Sequence, residues 1–118
     1  MEELLWYIEQ LGSEHLGICL DTGHLHLTKA CSQAAFIRKA GKHLKALHIA
    51  DNQGATEQHL MPFGVGNVNF EEVFAALKEI GYDGLYNLEI PGERHAPMEI
   101  RAYKLQYIKQ CMEYMDSL

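Results

Sequence analysis

A chain of 118 residues with 47% hydrophobic and 22% charged content suits one small soluble domain with a real core. Its formal charge of −6, with no cluster of Lys or Arg, argues against neutralising the backbone of a nucleic acid. No apolar run approaches the ~20 residues that span a bilayer and no basic leader opens the chain, so the sequence reads as cytoplasmic, with no nucleic-acid and no membrane partner.

Leu4, Leu5, Ile8 and Leu11 recur at helical spacing, and Gly12 stops that segment. "HLGICLD" (His15 to Asp21) is a short apolar run ending in an acid, predicted as a buried strand. Ser32 is placed to cap a helix over "QAAFIRKAGK", with Ala35, Phe36 and Ala40 forming one apolar stripe. "LKALHIAD" (Leu44 to Asp51) is a second predicted buried strand. Asn69 or Asn67 caps "FEEVFAALKEIG", whose Phe70, Val73, Phe74, Leu77 and Ile80 share one side. "YDGLYNLEI" (Tyr82 to Ile90) is a third strand. Pro97 stands near the start of a last helix, where Ile100, Tyr103, Leu105, Ile108, Met112 and Met115 supply the apolar positions. Cys19, Cys31 and Cys111 have no paired spacing and read as reduced structural thiols.

Strands alternating with helices imply an α/β fold with parallel strands joined by right-handed crossovers. Each strand is nearly continuously apolar, the pattern of a sheet covered on both faces. In such folds binding chemistry gathers at the carboxyl ends of the strands. Here the three ends carry Asp21 with His24, His48 with Asp51, and Glu89 with Glu93. Every end offers potential metal ligands.

Each motif also has a plainer explanation. In "DTGH" Asp21 can bind a cation or simply cap the turn, and His24 can hold substrate or stand exposed. His48, inside an apolar strand, is either a hydrogen-bonded core histidine or a neutral metal-ligating imidazole. "EQH" (Glu57 to His59) lies in a loop whose Gly64 and Gly66 let backbone approach a ligand closely. Asp51 orients a ligand or contacts substrate, and Glu89 suits a ligand that doubles as acid or base. Glu93 reads as a rim carboxylate. The set is stronger than its members.

In order, "DTGH", "HIADNQG", "EQHLMPFGVGNVNF" and "LEIPGE" resemble the xylose-isomerase-like TIM-barrel superfamily, most nearly its sugar-phosphate isomerase/epimerase group and more distantly endonuclease IV. The resemblance runs over nearly the whole chain. It implies that Asp21, His48 and Glu89 are three of the four ligands of a divalent metal, Mn²⁺, Mg²⁺, Co²⁺ or Zn²⁺, and that Glu89 is also an acid/base group. His24 resembles a substrate-contacting histidine or a zinc ligand, and Glu57 with His59 resembles the endonuclease's Asp-x-His zinc pair with Glu in place of Asp. With Asp51, these make the candidate substrate-binding or second-metal residues. The fourth ligand, a Glu from the preceding strand, has no counterpart, because Glu2, Glu3, Glu9 and Glu14 lie on or beside the first helix.

A TIM barrel has eight strands and typically ~250 residues. This chain offers three, matching the family's last three strand-helix units behind a preceding helix. The expectation is therefore one incomplete domain over residues 1–118, the C-terminal portion of a (β/α)8 barrel and a truncated piece of a longer protein. Its parent would be a sugar or polyol isomerase or epimerase working by proton abstraction through an enediolate, with the isolated chain nearly inactive. The alternatives are a zinc-dependent apurinic/apyrimidinic endonuclease-like hydrolase and a non-catalytic half-barrel fragment. Three strands leave two open edges and half a barrel interior exposed, so self-association through those edges is expected as well.

Overall fold

β1 (Ile18–Asp21), β2 (Leu44–Ile49) and β3 (Leu85–Leu88) form one parallel sheet in chain order in the computed structural model, which describes residues 1–118. α1 (Glu2–Leu11) precedes β1. α2 (Thr22–Thr28), α3 (Gln33–Ala40) and a 3₁₀ turn (Gly41–His43) connect β1 to β2. α4 (Phe70–Glu79) connects β2 to β3, and α5 (Met98–Ser117) closes the chain. These are three strand-helix units of a barrel wall, a partial TIM-barrel architecture.

The capping chemistry follows the sequence. Gly12 takes the left-handed conformation at φ 57°, and its N–H returns to the Ile8 carbonyl. The Ser32 hydroxyl accepts from Ala35 N–H, and Asn69 Oδ1 accepts from Glu72 N–H. Between the first two strands the structure adds a helix, α2, where the sequence suggests only a turn after Asp21. Asp21 caps it by accepting from His24 N–H, and Gly23 in its first turn hides the helical pattern. On α3 the buried face is Gln33, Ala34, Ile37 and Ala40, one position away from the predicted stripe, with Ala35 exposed.

One sheet face meets the helices. Leu47, Ile49, Ile37 and Val73 are fully excluded from solvent there, with Leu20, Phe74 and Leu77 close behind. This face, rather than intrinsic propensity, supplies the stabilising burial. The other face is open. Cys19 pairs laterally with Ala46 and Ala46 with Leu85, and Leu85 is 76% exposed. Burial of all three strands on both faces, the pattern of a complete barrel, is therefore not met, and three strands leave the inner face open as expected, most plainly at β3, whose first three residues are all exposed. Three strands cannot curl far enough to face an opposite wall.

α5 is likewise open to solvent along much of its length. Only Cys111 and Met115 are buried, whereas Tyr103 and Leu105 are each 66% exposed. Its second half packs beside α4 while its first half has no neighbour on the far side. No helix is long and apolar enough to cross a membrane.

Candidate metal and substrate site

Parallel register brings the candidate donors into one row. Asp21 is the Cα partner of His48, and His48 of Asn87, so all three side chains leave the open face at the carboxyl end of the sheet. Glu89 follows β3 immediately, its N–H donating to the Ile49 carbonyl at 3.0 Å. That bond continues the β2–β3 ladder and sets Glu89 beside His48, whose Nδ1 pairs with Glu89 Oε2.

Asp21 divides its two oxygens between structure and site. Oδ1 caps α2 at 2.8 Å from His24 N. Oδ2 is buried and has no hydrogen-bond partner; it lies 3.4 Å from His24 Nδ1 and 4.0 Å from His48 Nδ1. A buried carboxylate oxygen left without a donor is costly unless something positive meets it. The capping reading of Asp21 is met by Oδ1, and Oδ2 is left free toward the two histidines.

The loop after β2 delivers the second group of donors. Asp51 and Leu60 exchange backbone hydrogen bonds at 2.8 and 2.9 Å, pinching the loop at its base. Glu57 Oε1 lies 3.1 Å from His24 Nε2 and 2.9 Å from His59 Nε2. His59 Nδ1 donates to the Glu89 carbonyl at 3.0 Å. His59 also sits at φ 48°, a left-handed conformation that is uncommon outside glycine and that clusters at functional sites. The potential ligand atoms of Asp21, His59 and Glu89 lie within 4.8 Å of one another, as do those of His24, Glu57 and His59. His59 belongs to both groups and joins them.

The structure therefore brings Asp21, His24, His48, Glu57, His59 and Glu89 together at one end of the sheet. Asp51 stands apart. It is 2% exposed, and its Oδ1 accepts from Asn52 N–H at 2.7 Å and Val68 N–H at 2.9 Å. It fastens the two ends of the loop and has no place among the donors, so the expectation of a substrate-contacting Asp51 gives way to a structural role. Glu93 is drawn off to Lys104 at 2.5 Å.

Sequence reasoning missed Thr22. Its hydroxyl donates to the Ala50 carbonyl at 2.7 Å and accepts from Ala50 N–H at 3.0 Å, tying the end of β1 to the end of β2. The signal was a lone Thr beside Asp21, which nothing in the sequence separates from a surface hydroxyl. His26 was also missed; its Nε2 meets Asn67 Oδ1 at 2.7 Å and anchors the far side of the loop.

The hydrogen bond to Glu57, then that to the Glu89 carbonyl, raises the His59 pKa above 6.5. The same bonds, from His59 first and His24 second, lower the Glu57 carboxyl below 4.5. The raised histidine stabilises the loop fully below its unfolded pKa and loses that contribution as pH rises through its folded value. The lowered carboxyl does the opposite, contributing above its unfolded pKa and failing as pH falls through its folded value. The Glu57–His59 link is thus whole from about pH 4.5 to 6.5. Glu57→Gln is expected to bring the His59 titration down toward the ordinary imidazole value, read from the ring proton shift by NMR. An unmoved His59 midpoint would contradict the geometry.

The family model described as xylose isomerase-like TIM barrel matches residues 1–118. An uncharacterized protein of Methanocaldococcus jannaschii is 40% identical over 98 residues, covering 80% of this chain and 32% of its own length. D-psicose 3-epimerase of Enterocloster bolteae is 34% identical over 88 residues, with 75% of this chain and 27% of that protein covered. A crystal structure of a D-tagatose 3-epimerase-like protein superposes with a TM-score of 0.61 at 31% identity, covering 89% of this chain and 38% of that one. The chain spans about a third or less of the length of the curated relatives it matches.

Proposed function

Because the chain belongs to the xylose isomerase-like TIM-barrel family, we propose that it carries the C-terminal donor set of a divalent-metal-dependent isomerase or epimerase of small sugars or polyols. The observation that carries this reading is Asp21 Oδ2, buried and without a donor, facing His48 and Glu89 at the carboxyl end of a parallel sheet. The donor chemistry fits a cation: two carboxylates and an imidazole suit Mn²⁺, Mg²⁺, Co²⁺ or Zn²⁺. Relatives named as 3-epimerases of D-psicose, other ketoses and L-ribulose favour a sugar over a phosphodiester substrate.

Asp21, His48 and Glu89 would hold the metal. When bound, it would draw charge from adjacent hydroxyl and carbonyl oxygens of the substrate and so ease removal of a carbon-bound proton toward the enediolate. Glu89 would take or return that proton at one face, its carboxylate lying beside the His48 imidazole that holds it in place. His24, Glu57 and His59, linked through a shared carboxylate oxygen, would position substrate hydroxyls or hold a second cation. A second acid/base group on the opposite face is not among these six residues, so the isolated chain is expected to turn over little or no substrate.

Metal titration by calorimetry tests the reading. In the chelator-treated chain, Mn²⁺ should bind saturably, and the affinity should fall when Asp21 or Glu89 is replaced by its amide. Absence of saturable binding by any of the four metals would overturn it.

A further inference from the structure

The first two strands part company just where the donor row forms. Asp21 and His48 are the last paired position of β1 and β2, and at Thr22 the chain turns away into α2. Thr22 is fully buried, and its hydroxyl stands in for the next rung of the ladder. It accepts from Ala50 N–H at 3.0 Å and donates to the Ala50 carbonyl at 2.7 Å. A hydroxyl has one proton and two lone pairs, so it satisfies both groups at once, whereas a valine of the same shape satisfies neither.

Behind Thr22 lies Gln33, the first residue of α3 and only 6% exposed. Its Nε2 donates to the Thr22 carbonyl at 2.8 Å, but its Oε1 is buried without a partner. Half an amide left unsatisfied in the interior is unfavourable, and a methionine of similar length would avoid it. What the amide supplies is a hold on the Thr22 peptide. α2 has seven residues and a glycine in its first turn, too short to fix its own start. Gln33 is itself well founded, because the next N–H, that of Ala34, donates to Glu72 Oε1 of α4 at 3.3 Å. The start of α2 is thus held to β2 by a hydroxyl and to α3 by an amide.

The consequence falls on Asp21. Its Oδ1 is bound to the first turn of α2 through His24 N–H, so the carboxylate moves with that turn. The 4.0 Å spacing between Oδ2 and His48 Nδ1 is therefore set by whatever holds the turn. Metal ligands tolerate displacements of only about 0.2 Å. We propose that Thr22 and Gln33 are positioning residues of the metal site, fixing Asp21 against His48 without touching the ion. The proposal rests on the reading of Asp21, His48 and Glu89 as ligands.

The test compares the 118-residue chain with Thr22→Val, Thr22→Ser, Gln33→Met and, as a control, Ile37→Val. Each is measured where circular dichroism shows it folded, by calorimetric Mn²⁺ titration and by the visible absorption of bound Co²⁺, whose bands report ligand geometry. Thr22→Val and Gln33→Met should bind Mn²⁺ about 10- to 100-fold more weakly, the usual effect of removing a group that holds a ligand in place. Their Co²⁺ bands should shift as well. Thr22→Ser keeps the hydroxyl and should recover most of the affinity. Ile37→Val loosens the core packing of α3 without touching either bond and should leave affinity and spectrum unmoved. Gln33→Met also removes the orphaned oxygen, so it should stay folded while losing affinity, and it decides the matter if Thr22→Val does not fold. Wild-type affinity and spectrum in the folded variants would overturn the proposal, as would an equal loss in Ile37→Val. A wild-type chain that binds no metal would overturn the ligand reading itself and this proposal with it.

Discussion

Asp21→Asn is expected to cut divalent-metal affinity by at least about 100-fold while leaving the fold standing. Outer partners of metal ligands already cost about 10- to 100-fold when removed, and a direct anionic donor should cost more. The division of labour within Asp21 makes the experiment discriminating. Asparagine keeps an oxygen to accept from His24 N–H, so the α2 cap survives, and Asn and Asp are near equals at that position. What changes is the orphaned Oδ2, which becomes an amide group with no charge and with protons where a cation would sit. The melting temperature should therefore stay within about 3 °C of wild type while the calorimetric signal disappears. Unchanged Mn²⁺ binding would show that the row of Asp21, His48 and Glu89 is not the ligand set. A large fall in stability with binding lost would instead place the weight of Asp21 in its cap.

The contrast between Asp21 and Asp51 shows what could be read in advance. Both acids end an apolar run, and both are followed by polar loops, so their sequence surroundings are alike. What separates them is where the second strand and the long loop come to rest. Asp21 and His48 become lateral neighbours through a register that includes a bulge between Ile18 and Cys19, which no local pattern announces. Asp51 is turned inward by the return of Val68, 17 residues later. The alternation of strands and helices, the caps at Ser32 and Asn69, and the gathering of donors at strand ends were legible because each depends on nearby residues. That three strands leave an inner face open was legible from their number, but which residues of β3 and of the first half of α5 stand exposed was not. Their apolar residues carry the same pattern whether or not a neighbouring wall exists, so burial was read where the structure leaves Leu85 and Leu105 in solvent.

Gly66→Ala should be among the most destabilising single substitutions in the chain, by about 3 kcal/mol from overpacking combined with lost hydrogen bonds to a charged acceptor. A Cβ at position 66 would lie 2.1 Å from Asp51 Cγ and 2.2 Å from Oδ1, and Asp51 is neither flexible nor free to leave. Its carboxylate is buried and already holds the Asn52 and Val68 N–H groups, so either the loop backbone shifts or both bonds break. The loop would then release Glu57 and His59 from their places opposite His24 and Glu89, and urea unfolding should show a lower midpoint. The cause can be isolated with a double-mutant cycle. Asp51→Ala by itself removes the acceptor and strands two buried N–H groups, at a cost of about 2–4 kcal/mol. In that background the added methyl of Gly66→Ala meets an alanine side chain instead of a carboxylate, and its further cost should nearly vanish. The coupling between the two sites should therefore reach about 3 kcal/mol, at the top of the range for residues in direct contact. Simple additivity would mean that the glycine is needed for its own backbone conformation, and that the close approach to Asp51 is incidental.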